Sequence, residues 1–419
     1  MTADYEPGRG GSAAQAVDSV SWLAGVLANE TAPVERAGDR FVESLLARYD
    51  HDLDGMFRRW RAGGPFEVVE VKAALHKGWA TLAAPGGERT VLAVTVDTTG
   101  KIRRVVLEED SRAASGLAFD DVDRALGAVD GVESTGYVGR RGPQGWVPLW
   151  TRDAHRQMPG GSVFKVYVLL AAVHAVSAGH ARWSDLVTVG PTTRSLPTGE
   201  MQDLPDGTRA TLAQAAFNMF ARSDNTASDM VLEHLGREAV EAAAERSSHS
   251  APDLLRPFPT TRELFDIGWG HPNTLAAWAL TSARGRRAML DEHRHPLRIG
   301  VTDLTHAAHP LGLDWWMSSQ DVVTAMSSLW ELAAAAPDGP LPDILAANPG
   351  LEVDRERWPR STFKGGSSPG AVMFAWLLED PAGIEHAVVL QQRCPEVGVL
   401  RDGLALRRLG DTIIHRLLV

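Results

Sequence analysis

The stretch Pro159-Gly160-Gly161-Ser162-Val163-Phe164-Lys165 decides the fold, and an apolar run continues from it to residue 176. The glycines predict a turn, and the apolar run predicts a buried helix that follows it. Because Ser162 and Lys165 are three positions apart, their side chains project from the same face of the first helical turn. A neutral lysine there can accept the proton of the serine hydroxyl, although a helix-capping serine beside a surface lysine has the same pattern.

Lysine is scarce in this chain, since only five of its 42 lysines and arginines are lysines. Arginine can replace lysine on most solvated surfaces, but its guanidinium group cannot lose its proton at accessible pH. The lysines at two motif positions, Lys165 and Lys364, therefore indicate places where the chemistry demands an amine.

Two further motifs follow in the chain. Ser223-Asp224-Asn225 comes after the helical pattern of residues 212–221 and before a second helix. A loop between two helices can direct the serine hydroxyl and the asparagine amide toward a common cleft. Lys364-Gly365-Gly366-Ser367 follows a strand-like segment, and its paired glycines let another molecule approach the strand closely. Each motif alone is also compatible with a helix cap or a plain turn.

In this order the three motifs resemble the S-x-x-K, S-D-N and Lys-(Thr/Ser)-Gly signature of serine β-lactamases and penicillin-binding proteins. The resemblance extends from about residue 132 to the C-terminus and implies a class A β-lactamase-like hydrolase domain. It implies Ser162 as the acylated nucleophile, Lys165 as its proton acceptor and Ser223 as the group that passes a proton to the leaving group. Lys364 would supply positive charge for a substrate carboxylate.

The resemblance also implies a substrate-binding set, which consists of Asn225, Gly366 and Ser367. Asn225 would bind the substrate amide and orient the lysine of the first motif. The backbone N–H groups of the nucleophile and of Ser367 would form the oxyanion hole. Asp224 would brace its loop rather than touch the substrate.

Two departures from the family pattern affect the expected activity. Gly365 stands where the family has Thr or Ser, and Ser367, two positions later, is expected to compensate for the missing hydroxyl. Class A β-lactamases also use a glutamate to activate the deacylating water. The matching segment, residues 256–265, offers Glu263, which fits better as an N-terminal helix residue after a cap at Thr260. We therefore expect inefficient hydrolysis of lactams.

The N-terminal region has a different pattern of apolar residues. Residues 39–61 place apolar side chains at helical spacing, and strand-like patterns follow at 68–71 and 80–84. Residues 91–96 and 102–107 predict a hairpin. Helices followed by an antiparallel sheet resemble the α+β roll of steroid isomerases (NTF2-like) and cystatins.

The polar segment 108–116 is the best linker candidate, and it divides the chain into domains 1–116 and 117–419. The second domain is expected to be α+β, with strands from both of its ends in one antiparallel sheet and a helical region between them.

This two-domain arrangement is similar to that of the β-lactamase-like esterases of clavulanic acid biosynthesis clusters. That resemblance implies weak esterase activity on the 3′-acetoxy group of a cephalosporin, with little or no lactamase activity. It also implies a substrate-site lysine from the N-terminal domain, with Lys77 the first candidate and Lys72 the second.

Composition limits the class of function. The net charge of −11 argues against a general nucleic-acid surface, and the single Cys394 excludes an intramolecular disulfide framework. The sequence shows no export signal and no apolar run of membrane-spanning length, so we expect a cytoplasmic protein without a membrane partner. We expect a small-molecule substrate, no metal and no cofactor. A β-lactamase, a D-alanyl carboxypeptidase and a non-catalytic β-lactam-binding protein remain open as alternatives.

Overall fold

The computed structural model describes residues 12–29, 37–97, 99–110, 118–196, 198–292, 295–351, 353–400 and 403–417. The chain folds as two compact units, residues 6–116 and residues 117–419. Residues 111–116 of the expected linker lie outside the described residues.

The smaller unit packs helices against one sheet. Its elements are α1 (Ala13–Ala28), α2 (Glu43–Leu46), α3 (Leu53–Trp60), β1 (Glu67–Ala74), β2 (Lys77–Ala83), β3 (Arg89–Val96) and β4 (Ile102–Glu109). The strands are antiparallel in the order β1-β2-β3-β4, which confirms the predicted strands and the predicted hairpin. Ala16, Val20 and Leu23 recur at helical spacing on α1 and are fully buried against the sheet.

Two features of this unit differ from the sequence expectation. Helix α1 was not anticipated, and its burial depends on strands that lie far along the chain. The helical pattern of residues 39–61 forms two short helices, because Asp50 and His51 take left-handed backbone angles between them, with φ of 53° and 59°. The likeness to a steroid-isomerase or cystatin-like roll stays a prediction.

The larger unit has more elements and a larger helical region. They are α4 (Phe119–Leu126), β5 (Glu133–Gly142), β6 (Gly145–Arg152), β7 (Met158–Pro159), α5 (Lys165–Ser177), β8 (Leu186–Thr188), β9 (Arg209–Thr211), α6 (Leu212–Ala221), α7 (Asn225–Leu235), α8 (Arg237–Arg246), α9 (Thr261–Phe265), α10 (Thr274–Leu280), α11 (Ala283–Glu292), β10 (Trp316–Met317), α12 (Ser319–Ala335), α13 (Leu341–Ala346), β11 (Arg360–Ser368), β12 (Ala371–Glu379), β13 (Glu385–Arg393) and α14 (Leu404–Arg416). Within the described ranges, no helix has the length and apolar character needed to cross a bilayer.

Strands from both ends of this unit form a five-stranded antiparallel sheet in the order β11-β12-β13-β5-β6. This confirms the expected sheet. Alternate residues of β12 face opposite sides, as the two-residue period of a strand requires. Val372 and Trp376 pack with residues of α4 and α14, whereas Met373 and Ala375 pack with residues of α5 and α12. The sheet therefore lies between a terminal helix pair and the helical region, with β11 at one edge and β6 at the other.

Candidate active site

Ser162 lies in a 3-10 turn, Gly161–Phe164, that leads directly into α5, whose first residue is Lys165. Gly161 has a φ of 46°, a left-handed conformation that glycine adopts without a steric penalty. The turn touches β11 closely, since a Cβ atom at Gly366 would lie 2.7 Å from the backbone nitrogen of Ser162. Glycine at that position therefore lets the strand reach the N–H groups of the turn.

Lys165 is fully buried beside the hydroxyl of Ser162, with Nζ 3.1 Å from Oγ. Its amine donates to the backbone carbonyl of Ser223 at 2.6 Å and to Oδ1 of Asn225 at 2.7 Å. Burial lowers the pKa of Lys165 to about 7, against the opposing effect of two buried aspartates nearby. A large share of the amine is therefore neutral near pH 7.

The loop between α6 and α7 places one hydroxyl between two amines. The Ser223 Oγ atom lies 2.9 Å from Nζ of Lys364 and 3.5 Å from Nζ of Lys165. Ser223 has a φ of 60°, an uncommon angle for a residue with a side chain, and such angles cluster at functional sites. Asn225 donates its amide to the backbone carbonyl of Leu196 at 3.1 Å, which fixes its orientation.

Asp224 holds this loop in shape. Its carboxylate accepts the N–H of Ala227 at 2.8 Å, which caps α7, and the N–H groups of Glu200 and Met201 at 2.7 and 2.8 Å. Burial raises the pKa of Asp224, and these hydrogen bonds oppose the rise. The expectation that Asp224 braces its loop is confirmed by these contacts.

The edge strand β11 carries the third motif. Lys364 is buried, and its Nζ atom also donates to the carbonyl of Gly365 at 2.8 Å. A Cβ atom at Gly365 would lie 2.8 Å from the ring of Phe363 and 3.2 Å from that of Phe374, so the Thr or Ser of the family pattern would require the Phe363 ring to shift. Ser367 follows two positions later on the same face of the strand and is exposed.

Glu263 is part of the fold near the start of α9. It forms a capping box with Thr260, whose N–H donates to its carboxylate at 2.7 Å. The same carboxylate forms a buried ion pair with Arg237 at 2.9 Å. The expectation that Glu263 is an N-terminal helix residue is confirmed, and its oxygens already have partners inside the fold.

Asp229, one turn after Asn225 on α7, was not predicted. Its carboxylate accepts the N–H groups of Thr261 and Arg262 at 2.7 and 2.8 Å. Burial raises its pKa to about 7, against the effect of these bonds. Asp229 therefore ties the start of α9 to the helix that carries Asn225. The sequence signal, an aspartate at helical spacing from the asparagine, does not indicate the distant partner.

The two candidate lysines of the smaller unit lie on neighbouring strands. Lys77 begins β2 and is half-buried, directly after a turn in which Leu75 has a φ of 53°. Lys72, on β1, forms an ion pair with Glu70 at 3.0 Å. The assignment of either lysine to the substrate site stays a prediction.

Two separate parts of the chain match known families. Residues 150–345 match the β-lactamase enzyme family, and residues 13–102 match the family described as the N-terminal part of the ORF 12 gene product. The first match includes the S-x-x-K and S-D-N motifs and ends before β11. A comparison with curated proteins finds no match.

Solved structures similar to this chain include several β-lactamases. A β-lactamase from Sphaerobacter thermophilus is 17% identical with a TM-score of 0.50, over 72% of this chain and 98% of that one. A class A β-lactamase from Mycobacterium abscessus is 13% identical with a TM-score of 0.48, over 72% and 99%. A protein named PBP-A is 15% identical with a TM-score of 0.47, over 71% and 94%. The fold of the larger unit is β-lactamase-like, and the match over residues 150–345 supports a relationship to the β-lactamase enzyme family.

Proposed function

We propose that this chain is a serine hydrolase that forms an acyl-enzyme at Ser162 and acts on an ester or amide next to a carboxylate. The observation that carries the proposal is the 3.1 Å contact between Ser162 Oγ and the buried amine of Lys165, whose pKa is about 7. The match to the β-lactamase enzyme family supports it, because the match includes both residues.

The hydrogen bonds of Lys165 leave its amine able to act as the general base. A neutral amine has two hydrogens and one lone pair. The two hydrogens go to the carbonyl of Ser223 and to Oδ1 of Asn225, so the lone pair is left for the hydroxyl of Ser162. Attack of Oγ on the substrate carbonyl then transfers the hydroxyl proton to Nζ of Lys165.

Ser223 passes a proton to the leaving group in this proposal. Its hydroxyl lies within 3.5 Å of the Lys165 amine, which holds the proton after the attack. The hydroxyl can therefore give its own proton to the departing oxygen or nitrogen and regain one from Lys165. Lys364, 2.9 Å from the same hydroxyl, provides an amine from β11 for a substrate carboxylate.

The oxyanion that forms on the substrate carbonyl is bound by the N–H groups of Ser162 and Ser367. Support comes from the close backbone approach of β11 to the nucleophile turn. Preorganised N–H donors of this kind typically contribute a factor of about 10² to 10³ each.

Hydrolysis of the acyl-enzyme is slow in this proposal. Glu263, the carboxylate that the family pattern offers for activating water, is bound to Arg237 and to the N–H of Thr260. An acetyl group on Ser162 is much smaller than an opened lactam and therefore obstructs the approach of water less. We therefore propose an ester substrate of the cephalosporin 3′-acetoxy type, as the resemblance to clavam-cluster esterases implies. Asn225, Gly366, Ser367 and Lys77 are the proposed substrate-binding residues.

The test follows two reactions in parallel. The protein is incubated with cephalosporin C and with benzylpenicillin, acetate release and lactam opening are measured, and an intact mass is taken at each time point. We expect acetate release from cephalosporin C that is abolished by Ser162→Ala. Ser328→Ala is the matched control, because it removes a serine hydroxyl from α12, where that hydroxyl donates to the carbonyl of Thr324 at 3.0 Å.

Other outcomes identify the alternatives. Fast opening of benzylpenicillin would replace the esterase with a class A-like β-lactamase. Release of D-alanine from a D-alanyl-D-alanine peptide, with no acetate release, would identify a carboxypeptidase. If none of these compounds gives a product or a covalent adduct, the result would indicate a non-catalytic binding protein.

A further inference from the structure

A buried carboxylate, Asp314, lies where the nucleophile turn meets the edge strand β11. Its Oδ1 atom accepts the N–H of Gly161 at 3.0 Å and the N–H of Trp315 at 2.8 Å. Its Oδ2 atom accepts the hydroxyl of Ser368 at 2.6 Å. Asp314 thus bonds to the chain neighbours of the two residues whose N–H groups form the proposed oxyanion hole.

The segment that carries Asp314 is held firmly against the turn. The carbonyl of Trp315 accepts the N–H of Gly160 at 2.8 Å. The ring of Trp315 stacks on that of Phe164 with centroids 3.8 Å apart. Strand β10, which follows, pairs with β7, which immediately precedes the turn. Asp314 is therefore fixed relative to the turn by backbone and side-chain contacts on both sides.

The turn and β11 touch through backbone atoms. A Cβ atom at Gly161 would lie 2.7 Å from the nitrogen of Ser367, and one at Gly366 would lie 2.7 Å from the nitrogen of Ser162. Glycines have no side chains that could interlock across this contact. The hydrogen bonds of Asp314 to both partners supply a polar link across it.

We propose that Asp314 is a positioning residue that fixes the spacing between the N–H groups of Ser162 and Ser367 and so sets the strength of the oxyanion hole. The inference rests on the proposed function as a serine hydrolase. Oxyanion donors must lie within about 2.7–3.1 Å of the developing charge, so a small change in their spacing is costly. Asp314 acts through the turn and the strand and does not touch the substrate.

The ionised form of Asp314 is the one that accepts all three bonds. Burial raises its pKa from 3.8 to about 6, and the bonds from Ser368, Gly161 and Trp315 oppose the rise. Protonation places a hydrogen on an oxygen that now accepts one, so the link across the contact weakens below pH about 6.

The titratable side chains on the elements around Asp314 include Lys165, Lys364 and His309, besides Tyr167 and His174 further along α5. Lys165 is on α5, directly after the turn, with a pKa of about 7. Lys364 is on β11, the strand that also carries the hydroxyl partner. His309 lies shortly before Asp314, and burial, with a smaller effect of Arg393, lowers its pKa to about 4. Replacing Asp314 alone separates its titration from theirs.

Asp314→Asn tests the proposal because the amide has the same shape without the charge. We expect kcat for acetate release to fall about tenfold or more with KM changed less than about twofold. In the native protein, log(kcat/KM) should fall with decreasing pH below about 7 and more steeply below about 6. The steeper limb should be absent in Asp314→Asn, and Ser368→Ala, which removes one bond, should show a smaller loss of kcat.

Stability separates a positioning role from a structural one. Because the pKa of Asp314 is raised in the folded protein, the folded state binds the proton more tightly, and stability falls as pH rises from 3.8 to about 6. Asp314→Asn should therefore melt no lower than the native protein at pH 8. Asp380→Asn is the matched control, since Asp380 also accepts two N–H groups and a side-chain bond, in the β12–β13 turn. It should leave kcat unchanged.

Binding of phenylboronic acid provides a readout that does not require turnover. Boron accepts the Oγ lone pair of Ser162, the hydroxyl proton passes to Lys165, and a boron-bound oxygen occupies the oxyanion hole. Calorimetry should show about tenfold weaker binding to Asp314→Asn and native binding to Asp380→Asn. Equal binding to the native and Asp314→Asn proteins overturns the positioning role, as does an equal loss in both variants. Binding that survives Ser162→Ala would instead contradict the proposed function.

Discussion

Lys165 is the side chain on which the proposed chemistry depends most. Its pKa of about 7, the result of burial, makes the neutral amine available near neutral pH. Lys165→Arg keeps a cation at this position but removes any group able to accept a proton. We expect kcat/KM for acetate release to fall by about 10²- to 10⁴-fold, the usual contribution of a general base.

The pH profile provides a second test of the same lysine. A lysine with a lowered pKa is protonated below about pH 7, so the native rate should rise as pH increases through that value. Lys101→Arg, in the β3–β4 turn, is the matched control and should leave the profile unchanged. A Lys165→Arg variant that retains more than a tenth of native activity would remove Lys165 from the role of base.

Glu263, on helix α9, is the subject of a prediction about both the free energy of unfolding and the rate of deacylation. Glu263→Gln removes the charge that pairs with buried Arg237 and leaves the guanidinium group without its counter-ion. Loss of one partner of a buried pair costs about 3 kcal/mol, so the free energy of unfolding should fall by about that amount in a denaturant titration. The rate of acyl-enzyme hydrolysis, followed by intact mass, should be unchanged at a temperature where the variant is folded.

The control for Glu263→Gln is Glu331→Gln, on α12, which breaks an exposed ion pair with Arg141. Exposed pairs contribute roughly 0–1 kcal/mol, so its unfolding should change little. A Glu263→Gln variant that accumulates acyl-enzyme at native stability would identify Glu263 as the deacylating base after all.

Elements whose partners lie close in the sequence, or whose pattern is periodic, were predicted well. Strands β3 and β4 join through a short turn, and β12 and β13 contain continuous apolar runs. Helices α2 and α3 could not be told from one helix, because left-handed angles at Asp50 and His51 leave the apolar spacing intact. The bonds of Asp229 to Thr261 and of Asp314 to Ser368 join residues far apart in the chain. No local pattern predicts such pairs.

Across the whole molecule, the five lysines divide between the two compact units. Lys165 and Lys364 are buried around one serine hydroxyl in the larger unit. Lys72, Lys77 and Lys101 lie in the smaller unit. The order of the three motifs predicted the roles of Lys165 and Lys364 from the sequence, because in this fold the three motifs converge on one site. The role of the second set depends on a resemblance rather than on a motif, so it calls for a direct test.

Lys77→Ala tests whether the smaller unit takes part in substrate binding. If the Lys77 amine binds the substrate, its removal should lower kcat/KM about tenfold, mainly through KM, which corresponds to about 1.4 kcal/mol of binding.

Two control variants, Lys101→Ala and Lys72→Ala, remove amines from the same unit, and the native ion pair of Lys72 with Glu70 gives Lys72 another role. Both controls should retain native kinetics. Melting temperatures within about 1 °C of the native value would exclude damage to the unit, since surface changes usually cost little stability. Unchanged kinetics for both Lys77→Ala and Lys72→Ala would remove these two lysines from the substrate site, whereas a loss in Lys72→Ala alone would transfer the role to β1.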